Sequence, residues 1–535
     1  MGKRSIALKV ISFLAVLSIA VSLAACGNAS NNTPAGSTAA APTTAAPEAT
    51  KDENAPLFDK PVKLSILMGS HASWPYDENW KVWQYVKEAT GAELDIQAVP
   101  GEELPTKLNL IMASKDKLPD IVHVWAKTQS DAHAMSGAYV SILDNLDKLP
   151  NFSKWLDSIS DKEEILAQHT AGDGKIYLFP TYGVQTINNL IIWMDRKDIL
   201  ERNNLTVPTT YDELYTVSKK LKEIYPDSYP LSFRGGVTKF DQMLQQWKPY
   251  MGTGFYYDFD NKKWNFGGTE DTMKEFILWV KKAYDDKLIP TDFATITNQS
   301  WQELVTTNRG FFMPEYIVRI DFFNGPARTT DPDYTWAVME PPKGNTSTAT
   351  NKTGKTNLDL TGYLVVNTGK QESMDNALKF VDWFYSDKGK ALVSWGKEGE
   401  TYKVVNSEKQ FILDDKGTPA RNLYGFGTYG LYQVIDETSN EALYTKENVA
   451  EAHKAAEFLE PRSNPINWLP FNESEKEISD QKLTPITNYV NEQLSKFILG
   501  QRPISEWDAY VKEVNALGVE ELRKAYEDAY SRVTK

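Results

Sequence analysis

The sequence predicts an α/β fold of doubly wound, largely parallel sheet, laid down twice along the chain. Two observations carry this. The first is a β-α-β-α-β alternation near the start of the folded part. The second is that the alternation restarts after residue 170, as expected for a second unit rather than a longer first one. At 535 residues, with 41% hydrophobic and 24% charged residues, the chain is an ordinary globular composition large enough for several domains.

Taken in order, 62–67 alternates at strand period. Residues 77–89 read as a helix, with Trp80, Trp83 and Val86 recurring at threes and Gly91 as the stop. Residues 92–99 form a second strand, 105–114 a second helix and 119–125 a third strand ending in Trp125. In such sheets ligands bind beyond the carboxyl ends of the strands. The restart supplies strands at 174–180, 189–193, 310–314, 334–339 and 362–366. Thr210 and Glu213 form a capping box that opens a helix with Leu214, Val217, Leu221 and Ile224 on one face. Asp260-Asn261-Lys262 reads as a hairpin turn inside the aromatic cluster of Trp247, Tyr256, Tyr257 and Trp264, for which a core role is the expectation. The C-terminal part reads as helical, with Ser505 capping one helix and Leu522, Ala525, Tyr526, Ala529 and Tyr530 lining the last.

The first 26 residues have a separate logic. Lys3, Arg4 and Lys9 make a basic head, about 16 apolar residues follow, and Leu23-Ala24-Ala25-Cys26 closes the run. That run is shorter than the ~20 residues of a membrane-spanning helix. Residues 1–25 therefore read as a secretory signal peptide, and the ending resembles a bacterial lipobox, which implies a diacylglyceryl anchor on Cys26. Cys26 is the single cysteine of the chain, so no internal disulfide competes for it. Two acyl chains on one residue give stable attachment. Residues 26–56 are rich in Ala, Ser, Thr, Asn, Pro and Gly, contain no aromatic residue, and read as a disordered linker spanning roughly 30 Å. The body then runs from 57 to 535.

The net charge is −14, and loss of the three basic residues ahead of Cys26 makes the remainder more acidic still. Nothing would neutralise phosphates, which excludes nucleic acid as a partner. No later segment is apolar enough to span a membrane, so contact with the membrane is expected through the lipid alone.

A set of motifs then becomes recognisable: Lys117-Leu-Pro-Asp-Ile-Val122, Asp173-Gly-Lys-Ile-Tyr177 with Pro180, Val207-Pro-Thr-Thr-Tyr-Asp-Glu-Leu214, Pro341-Pro-Lys-Gly344, Trp395-Gly-Lys-Glu-Gly399 with Tyr402, and Phe497-Ile-Leu-Gly500. In this order, behind a lipobox and tether, the chain resembles the family 1 extracellular solute-binding proteins of bacterial ABC importers. The resemblance implies a two-lobed periplasmic-binding-protein-like fold with discontinuous lobes, two or three crossing strands, and ligand in the interlobe cleft. The expected lobes are 57–183 with 311–380, and 184–310 with 381–535. It further implies a monomer on the extracellular face of the cytoplasmic membrane of a Gram-positive bacterium. This monomer would capture a carbohydrate by hinge closure and pass it to an ABC permease with its ATPase subunit, without being an enzyme.

A sugar cleft needs aromatic faces and planar groups that grip vicinal hydroxyls. The candidates are Trp74, Tyr76 and Asp77 after the first strand, Trp125 at the end of the third, and Tyr182 near a crossover. Arg234 before two glycines, Glu315 and Tyr316 after a Phe-Phe-Met-Pro strand, and Trp395 and Glu398 in the Trp-Gly-Lys-Glu-Gly motif complete the set. By resemblance that motif, with Trp125 and Glu315, ranks first.

No cofactor and no metal are expected. Where many relatives carry a calcium loop, this chain has Ile224-Tyr-Pro-Asp-Ser-Tyr-Pro230, with one carboxylate where Ca²⁺ wants six to eight oxygens. The five histidines lack zinc spacing. Gly425-Phe-Gly-Thr-Tyr-Gly430 matches a dinucleotide string but follows no clear strand. Two alternatives stay open at this level: a secreted glycoside hydrolase using a pair such as Glu315 and Glu398, and a cell-surface carbohydrate adhesin.

Overall fold

The computed structural model describes residues 55–71, 74–115, 117–183, 190–354, 360–415, 417–428, 430–460 and 469–534. The signal peptide, Cys26 and most of the linker lie outside the described residues, as does Trp468.

Two sheets organise residues 55–534. In the first, the strand Val62–Ser70 pairs in parallel with Ala92–Pro100 on one side and Ile121–Val124 on the other, and Gly362–Val365 adds antiparallel to Ile121–Val124. These inner strands are apolar on both faces, as a sheet covered on both sides requires. Leu64, Ile66, Met68, Ile121, Tyr363 and Val365 face one core with Trp80, Trp83 and Val86. Leu67, Val122, Val124 and Leu364 face another with Leu104 and Leu108. The intervening helices are Lys81–Thr90 and Leu104–Ser114. The first starts four residues later than its periodicity suggests, because Asp77 ties off a turn instead, accepting from the Asn79 amide at 2.8 Å.

The second sheet is small and antiparallel: Ile191–Arg196 lies between Phe312–Tyr316 and Trp336–Val338. Its faces divide likewise, Trp193 and Phe312 packing into a large helical core and Ile192, Met194, Met313 and Trp336 into a smaller one. The cluster of Trp247, Tyr256 and Trp264 is buried, as its core reading expects, and the turn at 260–262 joins the hairpin Phe255–Asp258 and Lys263–Phe266.

Three local expectations are corrected. Residues 174–180 form no strand and make only single bridges, Ile176 to Thr170 and Leu178 to Leu364. Thr210 caps the helix Tyr211–Ile224 as expected, but the Glu213 carboxylate reaches back to the Thr209 amide and hydroxyl, both at 2.8 Å, so the box closes one residue early. Ser505 falls in a 3₁₀ turn, Ile504–Glu506, ahead of the helix Trp507–Ala516 and caps nothing.

The segments exchange between the two bodies at other places than those expected. Residues 312–316 and 336–338 hydrogen-bond to Ile191–Arg196 and so belong with the second sheet. Residues 377–435 pack with the first, through Leu378, Val381, Val393, Phe426 and Leu431. The reason is strand pairing, which no local pattern reports: a short apolar strand such as 312–316 fits either sheet by periodicity alone. Described residues up to 183 pack with the first body and those from 190 to 354 with the second, those from 360 return to the first, and a third crossing runs through 435–445. At the third crossing Leu443 packs on the first core and Tyr444 on the second.

Arg196 closes the lower end of the second sheet. Fully buried, it forks onto both oxygens of Asp198 at 2.8 Å, donates to Asn308 at 2.7 Å and lies 3.7 Å from the centre of the Tyr334 ring. Removing one partner of such a pair leaves a buried charge uncompensated. Arg196→Leu is expected to cost about 3–5 kcal/mol of stability, read as a lower urea midpoint for the intact chain.

Candidate functional site: an aromatic and cationic cleft between the two bodies

The site grows from the carboxyl ends of strands in both bodies. On the second, the strand Phe312–Tyr316 carries Glu315 as its penultimate residue, with a side chain 1% exposed. Three cations converge on it. Arg234 follows the Leu231–Phe312 bridge, and Gly235 and Gly236, at φ 84° and 55°, then turn the chain back so that Lys239 comes round to the same place. Arg319 opens the helix Arg319–Ala327, one turn beyond Glu315. Arg234 Nε donates to Oε2 at 2.6 Å and Nη2 to Oε1 at 3.1 Å. Lys239 Nζ reaches Oε1 at 3.3 Å, and Arg319 stands at 3.9 Å. Burial by itself raises the Glu315 pKa, but Lys239, Arg234 and Arg319 together outweigh it and hold the carboxyl below its ordinary value. Arg234 and Arg319 also flank the buried Trp301 ring at 5.4 and 5.6 Å, and Tyr316, half-buried, borders the group 6.0 Å from Lys239.

On the first body, His71 and Trp74 follow the strand Val62–Ser70 and stack at 4.6 Å. Trp125 follows Ile121–Val124, 6.0 Å from His71, and its ring lies on the backbone of Gly69 and Gly101. A methyl added at Gly101 would sit 1.9 Å from the indole, so glycine is what lets the ring lie flat there. Arg421 stands 4.7 Å from the Trp74 ring and donates to the Tyr444 hydroxyl at 2.9 Å, at the third crossing. The imidazole of His71 has a lowered pKa, first through burial and then through Arg421 and Arg319. Arg319 belongs to the second body, so the two halves of the site act on the same group.

Of the sequence candidates, Trp74, Trp125, Arg234, Glu315 and Tyr316 are brought to this cleft. The others are not. Tyr76 packs edge-on against Trp80 and Trp83, and burial pushes its hydroxyl up to about 12. Asp77 is the exposed turn cap. Tyr182 joins two crossings, donating its amide to Gln433 and accepting from the Ile435 amide, while its ring turns toward Trp155. Trp395 is 2% exposed and covered by Phe411 and Tyr402. Glu398 lies exposed in the turn between the helix Asp387–Trp395 and the hairpin that starts at Tyr402. Gly396 and Gly399, at φ 77° and 78°, show the motif to be a tight-turn device. Sequence reasoning missed His71, Lys239, Arg319 and Arg421. Arg319 had a signal in its helical spacing from Glu315; Arg421 had none, standing 347 positions from Trp74.

The paired carboxyl sets a pH dependence. Glu315 in the folded chain titrates below its ordinary 4.5, so its contribution is complete above that pH and is lost as the pH falls through the folded-state value. Wild-type stability should therefore drop steeply below pH 4.5. Glu315→Gln, which strands three cations, should be about 3 kcal/mol less stable at pH 7 and lack that part of the acid loss, measured by urea midpoints from neutral to acid pH.

Comparison with known proteins places this architecture. The curated Polygalacturonan/rhamnogalacturonan-binding protein YtcQ of Bacillus subtilis is 23% identical over 89% of this chain and 92% of its own length. The Fructooligosaccharide ABC transporter substrate-binding protein FusA of Streptococcus pneumoniae is 24% identical over 89% of this chain and 91% of its own. The crystal structure of alginate-binding protein AlgQ2 superposes with a TM-score of 0.71 at 22% identity, covering 89% of this chain and 99% of that one, which establishes the two-lobed binding-protein fold. The profile described as Bacterial extracellular solute-binding protein matches residues 75–391, and the chain belongs to that family.

Proposed function

We propose that the protein is the solute receptor of an ABC importer, capturing a carbohydrate between its lobes and releasing it unchanged. The observation that carries this reading is the convergence of stacking rings and hydrogen-bonding cations from both lobes on His71. A ligand touching both faces stabilises the closed arrangement, so capture and closure are one equilibrium. Relatives with a fructooligosaccharide and with polygalacturonan and rhamnogalacturonan in their names support the carbohydrate class.

The site is built for binding rather than hydrolysis. An inverting or retaining glycosidase needs a carboxylic acid that can give up a proton at the leaving oxygen. Glu315 is held ionised with its oxygens occupied by Arg234 and Lys239, and Glu398 belongs to an exposed turn of the first lobe. Cys26, the lipobox and the linker support a lipid-anchored, extracellular receptor that meets its permease at the membrane.

The lobes also meet where Phe471 approaches Gly172. The Phe471 carbonyl sits so close to Gly172 that an added methyl would stand 1.9 Å from its oxygen. Calorimetry of the intact chain against an oligosaccharide panel should find a binder recovered chemically intact, and Gly172→Val should weaken it about tenfold by opposing closure, about 1.4 kcal/mol. Turnover of the ligand overturns the reading. For the anchor, Cys26→Ser should leave the membrane fraction and lose its acyl mass; retention with acylation intact would refute it.

A further inference from the structure

Positive charge in this cleft exceeds what its own carboxylates balance. The chain as a whole carries −14, yet Arg234, Lys239 and Arg319 meet at Glu315, and Arg421, on the facing body beside Trp74, acts with Arg319 on the same His71. The Glu315 oxygens are taken up by Arg234, Lys239 and the Tyr316 amide. Arg319 is left 3.9 Å away, with its buried Nε making no hydrogen bond to any described residue.

Arg421 is the more demanding case. It is 8% exposed, and among the described residues no carboxylate lies within ion-pair distance of it. Its contacts are the Tyr444 hydroxyl and the faces of Trp74 and Tyr444, which favour a cation but do not neutralise one. A buried charge left uncompensated is costly. Its neighbour His71, under the influence of both Arg421 and Arg319, offers no counter-charge, since an imidazole is neutral or cationic. Among the described residues that counter-charge is absent, and an anion arriving with the ligand would supply it.

We propose that the ligand is an acidic oligosaccharide, a carbohydrate carrying ring carboxylates, with one carboxylate seated at Arg421 beside Trp74. This rests on the carbohydrate reading above and narrows it. A carboxylate is planar and matches the guanidinium fork with two parallel hydrogen bonds, which a neutral hydroxymethyl group does not reproduce. Trp74 presents its ring next to the same guanidinium, so the sugar ring and its carboxylate are read by adjacent groups. Arg319 supplies the second unbalanced cation from the other lobe, so an anion between them also favours closure.

The test is calorimetry on the intact chain with oligogalacturonates and oligomannuronates of two to four residues, each beside its carboxyl-reduced neutral counterpart. At least one acid should bind ten times or more tightly than its reduced form, and its affinity should fall as salt rises from about 0.1 M to about 1 M. Arg421→Gln should weaken the acid at least about fivefold more than its reduced form, so that most of the preference is lost, and Arg421→Lys should restore part of it. Arg319→Gln gives a second reading should Arg421→Gln not fold. Equal binding of acid and reduced forms overturns the proposal, as does an Arg421→Gln protein that loses both alike. Tight binding of a neutral oligosaccharide with none of an acidic one overturns it while leaving the carbohydrate reading intact. No carbohydrate binding of any kind overturns both.

Discussion

The cleft depends on a single buried carboxylate. Glu315 is the penultimate residue of a strand of the second sheet and has almost no contact with water, a position that disfavours an ion. It stays ionised because three cations from three separate segments surround it. The exchange works in both directions. Arg234, Lys239 and Arg319 stand on a turn, a 3₁₀ segment and a helix start that have few other reasons to approach one another. Glu315 fixes where they meet, and so fixes one wall of the site.

The opposite wall is built by a different principle. Trp125 and Trp74 are large rings close to the surface, held by glycine backbone, by His71 and by Arg421 rather than by the core. The free energy of this wall is in stacking, that of the facing wall in charge. A ligand with an apolar ring face and polar edges uses both only when the lobes are together. The third crossing contributes to this geometry: Tyr444 accepts from Arg421, and Thr445 donates its amide to Asp321 at 2.8 Å, so residues flanking the site are tied to a segment that joins the lobes.

Much of the architecture was legible in the chain. The alternation at 62–125 is legible because the strands keep a period of two and the first helix ends at Gly91, and the structure has the parallel sheet it implies. Trp125, Glu315 and Arg234 were legible as candidates because they sit at strand ends or beside paired glycines, where doubly wound folds place their ligands. Trp395 and Glu398 stand apart from that group because Trp-Gly-Lys-Glu-Gly, which has the residue types of a sugar site, is a turn with two positive-φ glycines whose tryptophan faces inward.

What the sequence determined by itself was therefore local: most of the strand and helix order, and the chemistry available at each strand end. Only the tertiary structure decided which body owns residues 312–338 and 377–435, since strand pairing is set by partners far away in the chain. It also decided the charge of the cleft. Arg421 is distant in sequence from every residue it serves, and its surroundings, a ring face, a hydroxyl and no carboxylate among the described residues, exist only once both lobes are folded around it.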